Sequence, residues 1–384
     1  MHTLTKKHTS ELQARLKRDG IDFALITDED SITYLASFWG FFGVEFGRPS
    51  FVFLPCDGEP ILITPLIELT MAESMTWISD IRPWNDDDGE QWDKVIADIL
   101  CKNLQSTVGI DANKLYPPVK IFLQEQFPHI KLRDISSDLA DMRIIKSPDE
   151  IKFMEKAGDI ALSMVDAARN SIREGIPEYE IALAISNAGS RKAAEFLEDD
   201  KLSFLASPLI HSQQVMQSGK NTTIAHMRAS VKRLKRGDPV YFCFCGMAAF
   251  MEYKLGFDRN FFVGEVSKQH EKIHEATLAA QNTVIDLIKP GAVAQDIYFA
   301  ARETYLSYGY SPGYRVGRGI GISNLEKPEL KAGDKTILQE GMTLTADGGI
   351  TIANNLGIRV SDSLVVTDTG NVSLTPYSRA LTIV

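Results

Sequence analysis

Residues 217–264 read QSGKNTTIAHMRASVKRLKRGDPVYFCFCGMAAFMEYKLGFDRNFFVG, and both the fold and the chemistry of the chain turn on this stretch. A turn-rich run carries His226. Gly237-Asp238-Pro239 then marks a turn that opens a long apolar strand, and a second β-rich run holding Asp258 and Arg259 ends at Gly264. Two long strands with few polar groups besides one histidine, itself expected to be buried, make a pocket floor. Further along, Arg318 sits in GYRVGRGIGIS and Asp347 in LTADGGI. The expectation is that these residues form one pocket.

Working outward, Ser147 and Glu150 make a capping box with Pro148 at the first helical position. A long helix follows, with Ile151, Met154, Ile160 and Met164 on its apolar side, and a second helix runs through Ile181, Leu183 and Ile185. Beyond the central stretch, helices are expected near 269–287 and 294–308, and strands near 342–346 and 358–366. Helical pairs alternating with antiparallel strands predict an α+β domain with helices on one sheet face. A helix–helix–strands order recurs without a convincing sequence repeat.

Before the capping box, helix and strand signals alternate in an α/β domain of about 140 residues, an ordinary domain size. DFALIT and SITYLAS read as strands, and the Asp57-Gly58 turn joins SFVFLP to ILITP as a hairpin. Helices are expected near 9–19, 90–101 and 119–126, and a strand at 108–110. The two domains predicted are 1–143 and 144–384.

The composition is that of a globular chain, 44% apolar and 24% charged. A formal net charge of −10 argues against a nucleic-acid partner, which needs clustered Lys and Arg. The one basic run, Lys232-Arg233-Leu234-Lys235-Arg236, reads as a solvated loop. No apolar run reaches the roughly 18–20 residues that cross a bilayer, and the first residues lack a signal-peptide core. Four cysteines in 384 residues make no disulfide framework. A cytoplasmic protein with reduced thiols is expected. Cys243 and Cys245 share one strand face, but zinc needs two more soft ligands and the sequence shows none beside them.

Each candidate competes with a plainer reading. A lone histidine is more often structural than catalytic, although an imidazole is the usual acid/base near neutral pH. Asp258 beside Arg259 is as well explained by an ion pair as by a substrate. Turn chemistry accounts for Asp347 among glycines. Arg318 is harder to dismiss, because its flanking glycines let a ligand approach and its guanidinium grips a carboxylate. The run is not a dinucleotide fingerprint. Phe46-Gly47-Arg48 reads as an aromatic surface loop, and Cys243 as a nucleophile lacks a visible base.

At these residues the chain resembles creatinase and its relatives, the pita-bread fold shared with prolidase and methionine aminopeptidase, over nearly its whole length. The carriers are ITYLASFWGFFGVEFGRPSFVFL, the junction RIIKSPDE, the helix start IPEYE and the segment QSGKNT leading to His226. The resemblance implies an N-terminal α/β creatinase-like domain followed by a C-terminal pita-bread domain. It makes His226 the general acid/base, gives Asp258 and Asp347 the substrate's cationic group, and sends Phe46 and Arg48 of a homodimer into the neighbouring site. There Arg48 holds the carboxylate of a small-molecule substrate, and Arg318 stands in for an arginine absent from 324–330.

The metallopeptidases of this fold hold two ions with two aspartates, a histidine and two acidic residues. Those positions fall on Cys243 or Cys245, near Gly256, on Arg318, on Asp347 and on Ser361. One carboxylate in five does not hold two divalent ions. The expectation is a hydrolase without metal or cofactor that cleaves an amidino or amide C–N bond of a small carboxylated metabolite, as creatinase and ectoine hydrolase do. Asp258 and Asp347 are one methylene shorter than creatinase's acids, so creatine itself is not the expected substrate. The alternatives are a divergent metal-dependent Xaa-Pro dipeptidase and an inactive peptide-binding pita-bread protein.

Overall fold

A computed structural model describes residues 1–40, 43, 47–87, 91–101, 105–198, 206–210 and 215–384. It divides into two compact units, Met1–Met142 and Arg143–Val384.

The first unit runs α1 (His2–Arg18), β1 (Phe23–Ile26), α2 (Glu29–Ala36), β2 (Phe51–Pro55), β3 (Ile61–Pro65), α3 (Leu69–Met75), β4 (Asp80–Trp84), α4 (Trp92–Leu100), β5 (Thr107–Ile110), α5 (Pro117–Gln126), β6 (Lys131–Asp134) and α6 (Ser136–Ile144). Its sheet has the order β4-β3-β2-β1-β5-β6. The β2–β3 pair is the antiparallel hairpin turned at Gly58, whose φ of 115° suits glycine. Leu25, Phe51, Phe53, Ile63, Val108 and Leu123 fill its core. SITYLAS, expected as a strand, lies in α2. The reason is local: Asp28 caps the helix by accepting from Ser31 N, and Glu29 and Asp30 suit its first turn. An apolar run this short carries no period that tells strand from helix.

The second unit runs α7 (Pro148–Ser171), α8 (Glu178–Leu197), β7 (Val215–Ser218), β8 (Pro239–Cys243), β9 (Ala249–Phe250), β10 (Tyr253–Lys254), β11 (Asp258–Phe262), α9 (Lys268–Leu287), α10 (Ala294–Ser307), β12 (Arg315–Gly319), β13 (Glu326–Lys331), β14 (Thr343–Ile352), β15 (Leu356–Val366) and β16 (Asn371–Ser373). The capping box at Ser147 and Glu150 is present, and Glu150 also accepts from Tyr253 Oη at 2.9 Å. Met154, Ile160, Met164, Ile181 and Ile185 are fully buried, while Leu183 faces solvent. The sheet order is β13-β12-β14-β15-β11-β8-β7, with β16 on β15. Helices α9 and α10 cover it through Ile273, Ala280, Val284, Ile297 and Ala301. A helix pair thus precedes strands twice, the order seen in the sequence. The mixed α/β architecture is the expected fold class.

Two of the four cations in the basic run from Lys232 to Arg236 are paired locally. Lys232 pairs with Asp238 at 2.7 Å and Arg236 with Glu265 at 2.9 Å. Among the described residues no helix is long and apolar enough to cross a membrane.

Candidate functional site

Strand register builds the site. Asp347 on β14 lies opposite Ser361 on β15, Ser361 opposite Asp258 on β11, and Asp258 opposite Cys243 on β8. Opposite residues on neighbouring strands point to the same face, so these four form one row across the sheet. Arg318 on β12 pairs with Thr345, two residues before Asp347 and on its face. Cys245, two residues past Cys243, adds a second thiol; antiparallel pairing continues there through Phe244 N to Phe257 O at 2.9 Å.

Short contacts tie the row together. Ser361 Oγ donates to Asp347 Oδ1 at 2.5 Å, and Arg318 Nη1 reaches Asp347 Oδ2 at 3.4 Å. Arg318 Nε donates to Asn324 O at 2.8 Å, and its backbone N–H to Thr345 Oγ1 at 3.1 Å. Tyr241 Oη donates to Asp258 Oδ2 at 3.1 Å, and Cys245 Sγ stands 3.8 Å from Asp258 Oδ1. Asp258 and Arg318 are buried, whereas Cys243 and Cys245 are half-buried. Gly256 contributes an absence of bulk. A Cβ there would lie 2.5 Å from Thr345 Cγ2, 3.5 Å from Cys245 Sγ and 3.6 Å from Arg318 Nη2.

The charges shift one another. Burial, joined by the charge of Asp347, pushes the Asp258 carboxyl up, and hydrogen bonds from Cys243 and Tyr241 pull against it. Burial also raises Tyr241 well above a free phenol. The Cys243 thiol is driven far up, first by its hydrogen bond to Cys245 and then by burial. That same bond lowers Cys245, with Arg318 acting in the same direction. Burial pulls the Arg318 guanidinium down, but Cys245 and Asp347 together outweigh it, and it stays charged.

The Asp258–Arg259 ion pair considered from sequence does not form. Arg259 projects to the other side of β11 and pairs with Asp362 at 2.5 Å. Asp258 therefore keeps its carboxylate for the site face. His226, expected to be buried, is exposed on a turn with φ 61°. That turn is fastened by Gln217 Nε2, which donates to Ile224 O at 2.5 Å, and by Thr222 Oγ1, which accepts from Gly357 N at 2.9 Å on β15. None of the hydrogen bonds or charge interactions described above for the Arg318–Asp347 row includes His226. In the first unit Phe46 lies outside the described residues. Arg48 pairs with Asp86 beside a cavity of about 200 Å³ lined by Leu66, Ile67 and Trp84. Tyr241 was missed from sequence. Its signal is its position two residues before Cys243 on an alternating strand, where it faces the site.

Residues 152–368 match the metallopeptidase family M24, and residues 9–145 match the creatinase/prolidase N-terminal domain. The chain belongs to family M24. It is 31% identical over 328 residues to an Xaa-Pro dipeptidase of Pyrococcus furiosus, covering 85% of this chain and 87% of that one. It is 26% identical over 382 residues to the agropine synthesis cyclase of Rhizobium rhizogenes, covering 95% and 94%. A prolidase structure from Thermococcus sibiricus superposes with a TM-score of 0.84 at 26% identity, covering 99% of both chains.

These findings overturn the expected reaction. A metal-independent, creatinase-like or ectoine-hydrolase-like enzyme acting on a non-peptide C–N bond is not where a metallopeptidase with Xaa-Pro dipeptidase relatives falls. Family membership implies a metal, and the donor set can be tested against it. Of the five positions assigned by the resemblance, Asp347 is the single carboxylate, and Ser361 and Arg318 already engage it. Gly256 has no room even for a Cβ, and a guanidinium donates hydrogen bonds but has no lone pair to give. The residues do not fit a two-ion carboxylate centre, and no catalytic step is routed through one. A trio of two thiols and one carboxylate does exist, because Asp258 joins Cys243 and Cys245. The third ligand that the sequence did not show comes from the neighbouring strand.

Proposed function

We propose that the chain is a hydrolase of the Xaa-Pro dipeptidase class, taking a small zwitterionic dipeptide on the face formed by Arg318, Asp347 and Asp258. One observation carries this reading: the strand register places one guanidinium and two carboxylates on the same sheet face. A dipeptide with free termini offers the complement, one carboxylate and one ammonium. Arg318 takes the carboxylate through a charge-assisted fork, and the two acids take the ammonium. An arriving ammonium favours ionised Asp258, opposing the burial that pushes its carboxyl up. His226, on its exposed turn, is the imidazole for proton transfer at the scissile bond. Arg48 stands beside exposed Leu66 and Ile67, an apolar rim that suits a second copy of the chain and a homodimer. Free thiols at Cys243 and Cys245 favour the reducing cytoplasm.

A second reading has its own support. The absence of four of five carboxylate or imidazole ligands favours a peptide-binding protein without turnover. One experiment separates the two: Xaa-Pro dipeptides are titrated calorimetrically while released proline is measured, with and without added divalent ions. Binding with proline release is expected. N-acetylated or C-amidated dipeptides should bind roughly 10- to 100-fold more weakly, the worth of a hydrogen bond to a charged group. Arg318→Gln should erase the penalty for C-amidation. Binding without release under every ion selects the second reading, and no binding at all refutes both.

A further inference from the structure

We infer that Cys243, Cys245 and Asp258 bind one divalent cation of the zinc type, at a site that replaces the carboxylate set of the family's two-ion centre by two thiols and the Asp258 carboxylate, only the first family position (Cys243 or Cys245) being shared. One ligand atom from each residue lies within 4.8 Å of the other two. A tetrahedral zinc with sulfur ligands at about 2.3 Å and oxygen at about 2.0–2.2 Å sets its ligand atoms roughly 3.5–3.8 Å apart. Cys245 Sγ and Asp258 Oδ1 already stand at 3.8 Å. The other two pairs, Cys243–Cys245 and Cys243–Asp258, also lie within 4.8 Å.

Three features suit the trio to an ion rather than to packing alone. First, Tyr241 Oη bonds Asp258 Oδ2 at 3.1 Å, leaving Oδ1 directed at the thiols. An outer hydrogen bond that orients a ligating carboxylate is what metal sites use. Second, the cysteines are half-buried, so an ion has an entry path and a fourth position for water or substrate. Third, the charges balance. Two thiols losing their protons and one divalent ion arriving leave the net charge of the cluster unchanged, and the Arg318 guanidinium still faces Asp347. A disulfide is the competing fate of neighbouring thiols. Cys243 ends β8 and Cys245 lies in the turn that follows, and both are free thiols.

The site shares Asp258 with the substrate contacts proposed above, but it is loaded and read without substrate, so its test does not depend on that reading. The reduced full-length protein is stripped with chelator, given one equivalent of cobalt(II) or zinc(II), dialysed, and assayed by elemental analysis and absorption. One ion per chain is expected, with a thiolate-to-cobalt charge-transfer band in the near ultraviolet and the intense visible bands of tetrahedral cobalt. Cys243→Ser and Cys245→Ser should each remove the charge-transfer band from its sulfur and weaken binding by more than the roughly 10- to 100-fold expected of Tyr241→Phe, which removes only the orienting bond. Asp347→Asn should leave affinity within about threefold. Circular dichroism and melting of each variant show that it is folded. Cobalt taken up without a thiolate band, or uptake lost in Asp347→Asn and kept in both serine variants, overturns the proposal. So does the absence of uptake.

Discussion

Gly256→Ala tests why a carboxylate-bearing residue does not stand at that position. The backbone conformation of Gly256 is open to L residues, so any cost is steric. The added methyl would lie 2.5 Å from Thr345 Cγ2, a fully buried neighbour. Thr345 does not swing aside freely. Its hydroxyl accepts from Arg318 N at 3.1 Å, and turning χ1 to move the methyl takes that acceptor away. Overpacking of this kind costs about 1–3 kcal/mol, and the lower entropy of an unfolded chain without that glycine returns about 0.4–1 kcal/mol. The net loss should be roughly 0.5–2 kcal/mol, a fall in Tm of about 1–8 °C for a domain of this size. Denaturant unfolding and calorimetry measure it. The decisive comparison is a double-mutant cycle with Thr345→Ser, which keeps the hydroxyl and deletes the clashing methyl. The double variant should recover at least 0.5 kcal/mol relative to additivity, on the scale of contacting residues. A Gly256→Ala variant as stable as the parent, or a cycle with no coupling, refutes the steric account.

Two further outcomes follow from buried charges. Lys146 Nζ and Glu326 Oε2 pair at 2.6 Å with both side chains buried, so Glu326→Ala should cost about 3–5 kcal/mol by stranding the ammonium, while Lys146→Met with Glu326→Leu should cost clearly less in urea melts. Burial lowers the His274 pKa from 6.5 to about 4, so the folded chain resists a proton that the unfolded chain accepts. Its contribution is complete above about pH 6.5 and fades by up to about 3 kcal/mol as pH falls toward 4; His274→Leu should flatten that part of the stability–pH curve, and an unchanged slope would sink the assignment.

Local signals were legible where one residue type admits one local role. The Ser147–Glu150 capping box, the Asp57-Gly58 hairpin and the apolar face of α7 follow from hydrogen-bond geometry and periodicity within a few residues. SITYLAS was not legible as a helix, because its cap at Asp28 lies outside the apolar run that drew the eye. Arg318 and Asp347 were expected in one pocket, and the structure sets Arg318 Nη1 3.4 Å from Asp347 Oδ2. The partner of Arg259 was not recoverable, since Asp258 is adjacent in sequence and Asp362 is adjacent only in the sheet.

By itself the sequence determined the two-part α/β plus α+β plan, the helix boundaries at capping residues and the chemical types gathered in the central stretch. Those depend on contacts between near neighbours in the chain, which the order of residues specifies directly. The tertiary structure decided which of those types meet. Registers between β8, β11, β14 and β15 align Cys243, Asp258, Ser361 and Asp347 in one row and turn Arg259 to the opposite face. A shift of one residue in any of those pairings would send the same side chains to different faces.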